Sequence, residues 1–146
     1  MSKADTYETD LLKLVFQNIA MTLVGDAAGL QPSAAAGNLY VSVHTADPGE
    51  AGTQATNESA YTGYARVAVV RSAAGWTVAA GVCTNAALVT FPLDTAGTST
   101  LTHFGIGTSS AGATKLLYSG ALSASLIVNP GITPECAIGA ISTSED

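Results

Sequence analysis

The chain has 146 residues and a formal net charge of −6, with 47% hydrophobic but only 11% charged residues, against a charged share of ~25% in ordinary soluble domains. That length fits one domain of ordinary size, and so little charge on a small domain points to a surface covered by copies of itself or by a larger assembly. The cations Lys3, Lys13, Arg66, Arg71 and Lys115 are scattered among eleven acids and cannot track a phosphate backbone, while no apolar run reaches the ~18 residues of a membrane span, so neither nucleic acid nor membrane is expected as a partner.

The opening MSKADTYETD is acidic and polar, unlike a signal peptide. Residues 5–24 read as the only helix. Asp5 followed by Glu8 predicts a capping box, and Leu12, Val15, Phe16, Ile19 and Leu23 recur on one face. Leu11, Leu14 and Val24 widen that face. Residues 1–24 are thus expected to form a helical arm, ended by Gly25, and the Gly/Ala/Pro/Ser stretch 25–38 a linker.

From residue 39 the period changes to two. Leu39, Val41 and Val43 alternate with Tyr40, Ser42 and His44, which predicts a half-buried strand. A turn-rich stretch follows at 46–65, longer than the ~12–15 residues at which structureless loops become uncommon and often functional. Further strands are expected at 66–71, at 76–78, from Asn85 to Phe91, within 97–107, at 115–122, at 125–128 and from Glu135 to Ile141, with STSED as an exposed tail. Short strands with turn signals between them predict a mainly β fold: an antiparallel sandwich or jelly roll over residues 39–146, with one N-terminal helix.

Few residues suggest chemistry. Gly105-Ile106-Gly107 lacks the third glycine and the following helix of a phosphate loop, so Gly105, Gly107 and Gly112 read as bulge and turn glycines. No Gly-x-Ser-x-Gly elbow is present. His44 and His103 read as structural. His44, Asp47 and Glu50 could offer oxygen and imidazole ligands to a divalent cation, but Asp47-Pro48-Gly49 is first of all a turn signal. Cys83 and Cys136 have no zinc spacing and read as small buried hydrophobes. No enzyme activity, cofactor or metal is expected.

LYVSVHTADPGE at 39–50 and YTGYARVA at 61–68 resemble a family of small virion proteins of tailed bacteriophages. So do THFGIGT at 102–108, LLYSGAL at 116–122 and the opening KADTYETDLL at 3–12. Members of this kind are often labelled tail fibre proteins, and similar compact β proteins act as capsid cement or decoration proteins that sit as trimers on the head. The resemblance implies a virion subunit assembled in the host bacterial cytoplasm. The chain has no long repeat of the kind a fibre shaft needs. It therefore reads as a cement protein, a homotrimer bridging subunits of the major capsid protein, with a tail-associated or tail fibre subunit, contacting other tail proteins, as the alternative. Leu12, Val15, Phe16 and Ile19 on the helix are the expected docking residues. Tyr61, Tyr64 and Arg66 in the loop join them, because Tyr and Arg are favoured interface anchors.

Overall fold

A computed structural model describes residues 2–145. It is mainly β, with one N-terminal helix: α1 (Asp5–Leu12), β1 (Asn38–His44), β2 (Val67–Val70), β3 (Trp76–Ala79), β4 (Val82–Asn85), β5 (Val89–Thr90), β6 (Ser99–Gly107), β7 (Leu116–Val128), β8 (Glu135–Cys136) and β9 (Ser142–Ser144). All the registered strand pairs are antiparallel. They form a four-stranded sheet in the order β2-β1-β6-β7, a three-stranded sheet β3-β4-β9 and the pair β5-β8. The chain divides into two compact units. One takes the residues up to Asn38, Val69–Leu88 and those from Ala137; the other takes Leu39–Ala68 and Val89–Cys136.

In the first unit, α1 has Asp5 and Glu8 in its first turn, where the helix dipole favours acids. The capping box does not form. Ala4 is the N-cap, no side chain caps it, and the Glu8 amide takes the Ala4 carbonyl at 3.0 Å in an ordinary helical bond. The helix also stops short of residue 24. It loosens into a π-helical turn at Lys13–Gln17, and Asn18 takes the left-handed conformation at φ 57°.

Asparagine tolerates that conformation, and here its side chain is held. Its Nδ2 donates to the Ser33 carbonyl, and its Oδ1 accepts from the Ser33 amide, each at 2.9 Å. Arg71 closes the helix end, donating to the Leu14 and Val15 carbonyls at 2.7 and 2.6 Å that would otherwise lack partners. Beyond the stop, the apolar stripe is largely uncovered: Ile19 is 47% and Leu23 81% exposed, while Met21 between them is buried. Before it, Leu12 and Phe16 are fully buried. The Phe16 ring meets Trp76 of β3 edge-on at 4.9 Å, and Gln17 Nε2 donates to the Trp76 carbonyl at 2.8 Å.

Of the expected tail STSED, residues 142–145 are not free and Asp146 lies outside the described residues. Ser142–Ser144 pairs with β4, setting Thr143 against Cys83, and Lys3 reaches Glu145 at 3.1 Å. Asn85 anchors this segment. Its Nδ2 donates to the Ala87 and Ala137 carbonyls, and its Oδ1 accepts from the Ile141 amide. The strand expected from Asn85 to Phe91 is consequently split, into the end of β4 and the two-residue β5. The strand expected from Glu135 to Ile141 shrinks to Glu135–Cys136.

The second unit carries the core residues Val41, Val43, Tyr61, Phe91, Leu101, Ile106 and Val128. The segments 115–122 and 125–128, expected as two strands, form the single strand β7, since neither Gly nor Pro lies between them to break it. Their separation survives as a register shift on β6 between Leu101 and His103, opposite Leu126 and Ala121.

Candidate functional site

The expected half-buried β1 is buried on both faces: Ser42 and His44 are as fully enclosed as Val41. What covers the polar face is the loop 46–66, folded back over the sheet and held by its own polar side chains. Thr45 N–H takes the Asn57 carbonyl, and Ser59 N–H takes that of Val43. Gln54, fully buried, donates from Nε2 to the Tyr40 carbonyl at 3.3 Å and accepts at Oε1 from the Ser109 amide (3.1 Å) and the Thr114 hydroxyl (2.7 Å).

Room for this comes from the glycines of β6. A Cβ on Gly105 would stand 2.6 Å from His44 Nε2 and 2.7 Å from Ser42 Oγ, and one on Gly107 would collide with the Gln54 side chain. Neither glycine has a positive φ. Gly107 sits at a register shift, as a bulge glycine does, and Gly112 turns the chain at φ 83°. Gly105 is needed instead for close approach.

Arg66 is the centre of the loop's hold. Its Nε and Nη2 donate to the two Glu58 carboxylate oxygens at 2.6 and 2.7 Å. Nη1 donates to the Ser109 carbonyl at 2.9 Å and the Thr114 hydroxyl at 3.4 Å, and Nη2 also to the Gly112 carbonyl at 2.8 Å. All five guanidinium N–H groups are thereby used. The hydrogen bonds to Glu58 push the Arg66 pKa further up. Tyr64 donates its hydroxyl to Glu58 at 2.8 Å, and burial, then the Glu58 charge, drive its pKa far above the usual phenol range. Tyr61 donates to the Pro92 carbonyl at 2.9 Å, and burial pushes it up to about 12.

His44 has Thr56 O and Ser42 Oγ each at 2.9 Å. A carbonyl can only accept, so Nδ1 carries the proton and Nε2 accepts from Ser42. Burial lowers the His44 pKa from 6.5, outweighing the bond to Thr56 and the nearby Glu58, which raise it; Arg66 and His103 lower it further. Below ~6.5 the unfolded chain takes up a proton that the folded chain resists, so this contribution to stability is present above that pH and is lost as pH falls. The urea midpoint is expected to drop between about pH 7 and about pH 5, with a flatter profile in His44→Gln. Equal profiles in both proteins would exclude His44 as the cause.

Asp47 does not join His44. Its Oδ1 accepts from the Gly49 amide at 2.8 Å in the expected turn. Among the described residues no group of three His, Cys, Asp or Glu side chains could hold a metal ion. Cys83 and Cys136 are both free thiols, and burial pushes Cys83 up to about 12.

Asp47 and Glu50 instead border a groove of about 620 Å³ with Gly49, Gly52 and His103, along residues 116–121 of β7. Consecutive strand residues point to opposite faces. Lining by six in a row, together with His103 of β6, therefore means that main-chain atoms of β7, and not only the side chains of one face, border the groove.

Of the residues expected to dock, Leu12, Phe16, Tyr61 and Arg66 are buried within the chain, Val15 and Tyr64 are half-buried, and Ile19 is exposed. The structure brings Tyr61, Tyr64 and Arg66 together, the two tyrosine rings 5.4 Å apart. Sequence reading missed Gln54 and Glu58. Glu58 had a signal in Arg66, a cation needing a partner; Gln54 in a polar loop had none.

The model of one protein family, described as podophage GP4 fiber I protein gp80, matches residues 2–144. The chain belongs to that family. It is thus a structural protein of a bacteriophage virion. No curated protein matches it.

Proposed function

We propose that the protein is a structural subunit of the fibre apparatus of a podophage tail. The observation that carries this reading is the family match over residues 2–144, whose description names a fibre. The shell-bound cement role, expected from the resemblance and the lack of a long repeat, has no comparable support, and the fibre reading, held there as the alternative, is preferred. The work assigned to the chain is passive: it holds neighbours together through its surfaces. A loop fixed by buried polar groups suits that work, because a preordered surface loses less conformational freedom on docking.

The test is to locate the protein on purified virions. Gold-labelled antibody seen by electron microscopy is expected at the tail, with a copy number far below that of the major coat protein. Label spread over the head, at a stoichiometry approaching that of the coat protein, would reject the fibre reading and restore cement.

A further inference from the structure

The groove between the 46–66 loop and β7 lies wholly within the second unit. Loop and strand meet at one end of it, where Thr53 and Lys115 form a bridge and the Gln54 amide takes the Thr114 carbonyl at 3.0 Å. Its volume of about 620 Å³ falls within the ~300–1,000 Å³ of ordinary ligand clefts. Gly49, Gly52, Gly120 and Ala121 keep side-chain bulk out of it, and Leu116 and Leu117 give it an apolar stretch. The charged residues of its lining are Asp47 and Glu50, both exposed; Lys115, at the end where loop and strand meet, is not part of the lining. Neither acid is in an ion pair. The two pairs among the described residues join Lys3 to Glu145 and Arg66 to Glu58.

We infer that this groove seats a basic segment of a neighbouring virion protein, with a lysine or arginine side chain lying along Leu116 and Leu117 and its charge against Asp47 and Glu50. Long cationic side chains lay their methylene stems on apolar surface and keep the charged head at a wet rim, and the groove offers both. Charge selects this occupant. Two carboxylates without a cation between them turn away a phosphate, a nucleic acid or an acidic peptide. A second copy is a poor fit, because each carries −6 with only five Lys and Arg. A metal ion is a poor fit as well, since no group of three ligating side chains forms among the described residues. The inference rests on the chain's membership of a virion and holds whether its place is on the tail or on the head.

The experiment uses the full chain, supplied from a plasmid to cells infected by a phage that lacks the gene, and reads the protein in purified virions by immunoblot. Glu50→Lys sets like charges against each other and is expected to lower the incorporated amount about tenfold or more. Ser119→Trp leaves the charge alone, fills the groove from an exposed position and is expected to lower incorporation as well. Glu135→Lys makes the same change of charge on an exposed residue outside the groove and is expected to enter virions like the parent. All three should keep the parent's urea midpoint, because exposed substitutions change stability little; were Glu50→Lys to lower it, Ser119→Trp decides. The gold label of the fibre test reads position alone, so the two readings fail separately. Either folded groove variant entering virions at the parent's level overturns the proposal. So does an equal loss in Glu135→Lys, which would follow total charge, or a gain in Glu50→Lys, which would mean an anionic neighbour. Light scattering of the purified protein tests the other occupant: a parent oligomer that Glu50→Lys dissociates would put a second copy in the groove and overturn the proposal too.

Discussion

Arg66→Met is expected to destabilise the second unit by about 3–5 kcal/mol, the range found when one partner of a buried ion pair is removed. The loss arises mostly from what stays behind. Glu58, its side chain 15% exposed, would keep only the Tyr64 hydroxyl of its present side-chain donors, the Ser109 carbonyl would lose the Arg66 donor, and the Gly112 carbonyl would be left with the Thr114 amide. Arg66→Lys is expected to recover only part of the loss, because an ammonium cannot make the two parallel bonds to a carboxylate. Removing both charges, as Arg66→Met with Glu58→Met, should cost less than the sum of the two single changes.

The readout must belong to the right unit. Four of the five tyrosines, Tyr40, Tyr61, Tyr64 and Tyr118, lie in the second unit, and Tyr7 and the only Trp lie in the first. Tyrosine absorbance during urea unfolding, recorded in a Tyr7→Phe background, therefore follows the Arg66 network. A midpoint unchanged by Arg66→Met would mean that the loop 46–66 is held by other contacts.

The pattern of strands was legible in the sequence because alternation records burial on one face. It was misleading at β1, where Ser42 and His44 obey the alternation and are still buried. The polar face of that strand is covered by polar groups, and hydropathy cannot tell a hydroxyl facing water from one facing His44. The same blindness hid the role of Gly105, whose missing side chain matters only once His44 and Ser42 are known to lie against it. At the helix, the apolar periodicity ran on to Leu23 and predicted an element to residue 24, but one asparagine in the left-handed conformation ended it at Gln17. That stop is a local exchange of hydrogen bonds between Asn18 and Ser33, fifteen positions apart, which no window of hydrophobic spacing contains. Tyr61 and Arg66 were chosen as interface anchors by residue type. Type alone does not distinguish an anchor for a neighbour from one for the chain's own loop, and their bonds here go to Pro92, Glu58 and the 109–114 turn.

Phe16→Ala tests the same distinction on the helix. The ring is fully buried and packs edge-on against Trp76, a favoured aromatic geometry. Its truncation is expected to cost about 3–5 kcal/mol, combining lost transfer energy with the cavity left behind. Phe16→Leu, which keeps most of the volume, should cost markedly less. Trp76 is the single tryptophan and touches the altered site, so its fluorescence reports the unfolding of the first unit directly. A lowered urea midpoint in the isolated protein is the expected result, in contrast to a docking residue, whose loss would leave the midpoint in place and weaken only attachment to the virion. Ile19, exposed just beyond the helix stop, supplies the comparison: Ile19→Ala should leave the Trp76 transition within about 0.5 kcal/mol of the parent, as surface substitutions generally do. If Phe16→Ala melted like the parent, the ring could not be a core residue of its own unit, and its burial against Trp76 would contribute little to holding the helix on β3.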